Sequence, residues 1–339
     1  MFFINSQAYS YQTRKVDTDL FTLERSFGDN ESKMKKEFLL VKPMGIDVDS
    51  KGCIYVLDEN RVKVFNGDGT EKSIVGGVGQ GPGELEYGTM VYISSSDYLS
   101  VRNRNNYFNI FNSKGIFLYK VDLLSNPIYR SIKNKYNFDF IMGAGYYCVT
   151  EKQNIVFLQA MKINNNESAT KTYLICYDTR DSLIEKLNIT LQDKPVDVNN
   201  AQFFGTVLSD NRIVFLYPFI YNKKQPEKEV SYRLCILSKD GFEKSEIVHA
   251  INQSEIVQIL SDRQYIFVIS QPIDAPNNYL IDIFNANEKR YVQSVLFPFL
   301  PKAIRNGYVY TFKIGKNIYP AVEKYKLDIK VYGNSGTQY

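Results

Sequence analysis

Along most of the chain, apolar and polar positions alternate in short runs broken by Gly, Asn and Asp. The segment GIDVDSKGCIYVLDENRVKVFNGDGTEKSIVGG, from Gly45 to Gly77, shows this best. It holds four runs, separated by Asp-Ser-Lys-Gly, Asp-Glu-Asn and Asn-Gly-Asp-Gly. Alternation with a period of two is the pattern of a half-buried strand. The Gly and Asn residues between runs supply the positive φ that tight hairpins demand. The segment therefore predicts four antiparallel strands joined by hairpins, and a second copy follows within Pro43 to Tyr119.

The turn between third and fourth strands carries the repeat further. It reads Phe65-Asn66-Gly67-Asp68-Gly69, Phe111-Asn112-Ser113-Lys114-Gly115, Tyr177-Asp178-Thr179-Arg180-Asp181, Leu237-Ser238-Lys239-Asp240-Gly241 and Phe284-Asn285-Ala286-Asn287-Glu288. Such recurrence, at roughly 45 to 65 residues, is that of a propeller blade. A sixth unit is assembled from both ends of the chain. Ala303-Ile304-Arg305, Tyr308 to Lys313 and Ala321 to Lys326 give three strands, and Asp19 to Phe27 gives the fourth, with Lys330-Val331-Tyr332 as the alternative source. The expected fold is all-β: a six-bladed β-propeller, four antiparallel strands per blade, its ring closed by an N-terminal strand. It spans residues 19–332, between tails 1–18 and 333–339.

Gly45-Ile46-Asp47-Val48-Asp49, Gly52, Ile54-Tyr55-Val56, Asp58 and Arg61-Val62-Lys63-Val64-Phe65 together resemble an NHL repeat. Gly76 to Leu85 is similar to the link between such repeats. The chain as a whole resembles bacterial six-bladed propellers of NHL or TolB-like type, specifically over Pro43 to Val121 and by strand rhythm beyond Phe138. The resemblance implies a rigid ring, and for many of its members export.

Composition sharpens this picture. The chain has 26 Tyr and 22 Phe but no Trp, a bias that suits pleated strands and argues against Trp-Asp blades. A net charge of +4 is too small to imply a nucleic-acid partner. Some animal NHL domains bind RNA on a basic face, but this charge and the N-terminal segment weigh against that reading. Cys53, Cys148, Cys176 and Cys235 lack C-x-x-C spacing and read as free thiols in strands. No run is long enough to span a bilayer. Met1 to Ala8 looks like the end of an export signal, so the expected location is periplasmic, cell-surface or secreted, with the cytoplasm as the remaining option.

Candidate chemistry is sparse. Gly76 to Gly83 lacks the Gly-Lys-Ser/Thr ending of a phosphate loop and reads as a crossing between blades. His249 is the one histidine, which excludes a multi-histidine zinc site within the chain. Asp47 and Asp49 alternate with Ile46 and Val48 and are expected to serve an inner strand and its turn; no metal-ligand set can be assigned.

In a four-strand blade, second-to-third loops and blade links leave the same face. Lys162 to Lys171, Pro218 to Val230 and Gln271 to Asn277 make that face the long-loop face. It carries Tyr217, Phe219 and Tyr221 at the root of one loop, and Arg102, Arg104 and Asn105 at another corner. The expected function is a non-catalytic binding propeller holding a glycan, peptide or protein partner there, with no cofactor identified. The alternative is a metal-dependent, calcium-type lactonase or lyase with carboxylate and Asn ligands at the central channel.

Overall fold

A computed structural model of the chain describes residues 18–103, 107–122, 130, 134, 140–149, 154–163, 170–178, 184–187, 204–218, 230–237, 244–251, 254–272, 278–314 and 319–333. Among them β1 (Phe21–Phe27) comes first. The first complete sheet follows: β2 (Pro43–Val48), β3 (Ile54–Asp58), β4 (Arg61–Phe65) and β5 (Glu71–Val75). A short parallel pair, β6 (Gly77–Val78) and β7 (Glu84–Leu85), leads to β8 (Gly88–Ile93), β9 (Leu99–Asn103), β10 (Tyr107–Phe111) and β11 (Phe117–Asp122).

The third sheet is β12 (Phe140–Val149), β13 (Asn154–Ile163), β14 (Thr170–Asp178) and β15 (Ile184–Leu187). The fourth is β16 (Phe204–Val207), β17 (Ile213–Pro218), β18 (Val230–Leu237) and β19 (Lys244–Ile251). The fifth is β20 (Ser254–Asp262), β21 (Tyr265–Pro272), β22 (Tyr279–Asn285) and β23 (Arg290–Phe297). The last contains β24 (Ala303–Arg305), β25 (Tyr308–Lys313) and β26 (Ala321–Leu327), with β1 hydrogen-bonded to β26. The fold class is thus an all-β propeller of four-stranded antiparallel sheets.

The chain divides into two compact units. The first holds Arg25–Val196 and Phe312–Glu323; the second holds Met1–Glu24, Asp197–Thr311 and Lys324–Tyr339. In the first unit, β3 and β10 are buried at every position, while β5 and β11 keep exposed residues. Middle strands covered on both faces can be apolar throughout, and outer strands must alternate. Tyr55, Leu57, Val62 and Val64 pack in one cluster with Val91, Ile93, Leu99, Val101 and Phe111. In the second unit Phe21 contacts Phe297, Phe299 and Tyr325, with ring centroids 4.9, 5.1 and 5.6 Å apart.

The turns follow the sequence. Asn66 N–H donates to the Thr70 carbonyl at 2.8 Å, and Gly69, at φ 84°, donates to the Asn66 carbonyl at 2.9 Å. The register slips between Val64 and Phe65, as a hairpin with a left-handed bulge residue requires. Asn112 and Gly115 repeat this arrangement. The turns at 179–183 and 238–243 lie outside the described residues.

Lys330-Val331-Tyr332 does not form a strand; it lies in a 3-10 turn, Ile329–Tyr332, capped by the Asp328 carboxylate on Lys330 N–H. The expected loop Lys162 to Lys171 is shorter than its bounds, because pairing of β13 with β14 continues to Ile163 and Thr170. Among the described residues no helix is long and apolar enough to cross a membrane.

Candidate functional site

Of the residues singled out in the sequence, Arg102 has a described side chain. It stands on β9 and is half-buried, and burial pushes its pKa below the usual arginine value. Arg104, Asn105, Phe219 and Tyr221 lie outside the described residues. The backbone of Tyr217 is on β17, paired with Arg233, and its side chain is not among those described. His249 is placed by its backbone, on β19 opposite Tyr232.

Around Arg102 the structure defines a corner at the entry to two neighbouring inner strands. Asp58, at the end of β3, accepts hydrogen bonds from Val41 N–H at 3.0 Å and Lys42 N–H at 2.6 Å. Its other partner is the Lys63 ammonium at 2.6 Å, which also donates to the Leu39 carbonyl. Glu59 N–H then reaches the Lys42 carbonyl at 3.3 Å, and Gly88 N–H reaches Asn60 Oδ1 at 3.4 Å. In the next sheet Asn103 stands where Asp58 stands in the first. It accepts from Glu86 N–H at 3.0 Å, and Thr89 Oγ1 donates to the Arg102 carbonyl at 3.4 Å.

These bonds chain together three segments, residues 41–44, 58–60 and 86–89. They hold three apolar side chains outward: Val41 is 51% exposed, Met44 45% and Tyr87 60%. Tyr87 sits at φ 53°, a costly conformation for a bulky residue, and the bonds made by its neighbours hold it there. Nearby, the Lys120 ammonium lies 3.6 Å from the centre of the Tyr107 ring. Burial, and then the charge of Glu86, push the Tyr107 hydroxyl pKa up.

The inner carboxylates serve the backbone. Asp47 accepts from its own neighbour Val48 N–H at 2.8 Å and from Ile93 N–H of the adjacent inner strand at 2.6 Å. Asp49 accepts from Lys51 and Cys53 N–H groups at 3.0 and 2.7 Å. Glu84 turns back on the glycine-rich crossing and accepts from Gly81 N–H at 2.8 Å, closing it without a ligand. In the second unit Asp262 accepts from Asn306 and Gly307 N–H groups at 2.7 and 2.9 Å. Among the described residues no group of three or more His, Cys, Asp or Glu could hold a metal ion.

The Asp58–Lys63 pair was within reach of the sequence, since Lys63 interrupts the apolar run Val62-Lys63-Val64 and a charge there needs a buried partner. The exposed trio had no such signal. Met44 is the second residue of β2, and Val41 and Tyr87 lie just before β2 and β8, where an apolar residue is ordinary.

No protein-family model matches the sequence, and no curated protein does. The structure is similar to that of a duf4221 family member from Bacteroides vulgatus. The two are 12% identical with a TM-score of 0.56, over 91% of this chain and 98% of that one. It is also similar to a protein of Bacteroides fragilis described as exported, 12% identical with a TM-score of 0.54, over 93% of this chain and 98% of that one. At this identity the likeness concerns the fold alone.

Proposed function

We propose that this protein is a non-catalytic binding propeller that holds a partner on the face carrying the blade links and second-to-third loops. The observation that carries the proposal is the outward trio Val41, Met44 and Tyr87 on a hydrogen-bonded frame. Apolar side chains held out by a rigid backbone lower the ordering cost of binding. Two of the three are aliphatic and offer no flat ring for a sugar, which favours a peptide or protein partner over a glycan. The backbone duties of Asp47, Asp49, Asp58, Glu84 and Asp262 weigh against the metal-dependent lactonase or lyase reading.

The proposal includes the finer architecture. The six four-stranded sheets are six blades of NHL or TolB-like type, and β1 closes the ring through β26. Supporting the closure, Lys324 Nζ lies 2.9 Å from Glu24 Oε2, and Asp328 N–H donates to the Leu20 carbonyl at 2.8 Å. Export is part of the same reading, supported by the Met1 to Ala8 segment and by the description of the Bacteroides fragilis protein.

A peptide and glycan array probed with the wild-type protein and a Met44→Ser/Tyr87→Ser variant tests the binding site. The expected result is peptide binding that weakens about tenfold or more in the variant, with its urea midpoint unchanged. Equal binding by both proteins, or binding abolished by EDTA, removes the proposal.

A further inference from the structure

A second site lies at the opposite end of the first sheet, around the turn from β2 to β3. Lys72, an exposed residue of β5, places its Nζ 2.8 Å from Cys53 Sγ. That separation is ordinary for nitrogen and oxygen but short for the larger sulfur atom. The contact reaches across the sheet, since Ile54 pairs with Phe65 on β4, and Phe65 pairs with Glu71 on β5. The thiol cannot swing away freely. Cys53 N–H donates to Asp49 Oδ1 at 2.7 Å, the Cys53 carbonyl accepts from Asp49 N–H at 3.0 Å, and the side chain is packed with Tyr55 and Val64. Cys53 is also the one cysteine between Gly45 and Gly77, so no disulfide can form within this segment.

We infer that Cys53 and Lys72 are an oxidative cross-linking site, at which peroxide joins the two side chains through a single oxygen atom as an N–O–S bridge. In the first step the sulfur attacks one peroxide oxygen, the O–O bond breaks, and Cys53 becomes a sulfenic acid with release of water. In the second step the Lys72 amine, the sulfenic acid and a second peroxide give the N–O–S bridge and two waters. Sulfur and nitrogen each lose two electrons, and each peroxide gains two.

The order of the steps follows from the pairing. The hydrogen bond to Cys53 is the leading reason the Lys72 pKa is raised, ahead of the opposing effect of burial. Oxidising the thiol removes that hold on the proton and frees the amine for the second step. The bridge braces β3 to β5 over β4, and a cross-link of this kind restricts the unfolded chain as a disulfide does.

The test treats the purified protein with dilute hydrogen peroxide and reads intact mass and non-reducing peptide maps. Cys53→Ser and Lys72→Arg variants run beside it, the latter keeping the cation but not the primary amine. Wild type is expected to gain one oxygen less two hydrogens, with the Cys53 and Lys72 peptides joined, and dithiothreitol is expected to restore the original mass. Neither variant forms the joined peptide, and the oxidised wild type unfolds at a higher urea concentration than the reduced. Oxygen on Cys53 alone, loss of two hydrogens alone, or an unmodified Cys53 overturns the inference.

Discussion

The hairpins β4–β5 and β22–β23 meet similar backbone demands with different residues and loops of different length. Three residues lie between Asn66 and Thr70, and four between Asn285 and Arg290. Both open with an asparagine, Asn66 in one and Asn285 in the other, and both slip register just before it, at Val64/Phe65 and at Ile283/Phe284. The left-handed residue that closes the turn is Gly69 at φ 84° in the first and Lys289 at φ 53° in the second. The polar clamps differ likewise. Asp58 holds two amides and an ammonium, whereas Asp262 holds two amides and the Tyr332 hydroxyl at 2.7 Å. Asp282 in the second unit receives the hydroxyls of Tyr232 and Ser294. What repeats is therefore a set of backbone demands, and each region meets them with its own side chains.

The largest effect separating the two regions should come from the charged clamp. Asp58 and Lys63 have side chains 0% and 5% exposed, so Asp58→Ala leaves a buried ammonium without its counter-charge. Losing one partner of such a pair costs about 3–5 kcal/mol, measured as a shift in the urea midpoint at constant slope. Adding Lys63→Met to that variant is expected to recover much of the loss, since it removes the stranded charge. A single variant as stable as wild type would show that this clamp is no stronger than the one at Asp262.

The Asp262 clamp, which has no cationic partner among its bonds to Asn306, Gly307 and Tyr332, predicts a smaller loss with a pH signature. Burial first, and then the Asp262 charge, push the Tyr332 hydroxyl pKa above its usual value. The folded value is raised, so the stabilising contribution is complete below the unfolded pKa of about 10 and is lost as pH rises toward the folded one. Tyr332→Phe is expected to cost about 1 kcal/mol at neutral pH and to flatten the alkaline decline of stability. A variant whose alkaline decline matches wild type would place the titration elsewhere.

Legibility in the sequence follows the same divide. Gly45 to Gly77 could be read because Gly52, Gly69 and Gly76 stand where positive φ is needed, Glu59 at φ 53° being the exception, and its clamps Asp47, Asp49 and Asp58 sit in or beside alternating strands. The bounds of β25 matched the apolar run Tyr308 to Lys313 for the same reason. At Lys289 and Arg263 the left-handed conformation is carried by residues that give no warning of it, whereas Asn306-Gly307 is a legible turn. The exposed trio was illegible for a different reason. Whether Val41, Met44 or Tyr87 faces water depends on how residues 41–44, 58–60 and 86–89 are tied together, and those ties run between segments distant in the chain.

The smallest effect is the sharpest test of the opening comparison. Lys289 is exposed, and its left-handed backbone carries a penalty of about 1–2 kcal/mol that glycine avoids. Glycine gives back about 0.5–1 kcal/mol through the freedom it has when unfolded. Lys289→Gly is therefore expected to stabilise the protein by about 0.5 kcal/mol, giving the longer hairpin the glycine closing residue of the shorter one. The reciprocal change, Gly69→Lys, is expected to destabilise, because a Cβ at Gly69 would lie 2.7 Å from the Phe27 ring in addition to meeting the same backbone penalty. Paired urea titrations decide the matter. If Lys289→Gly weakens the fold, the lysine side chain contributes to that turn, and the two hairpins differ in what holds them as well as in length.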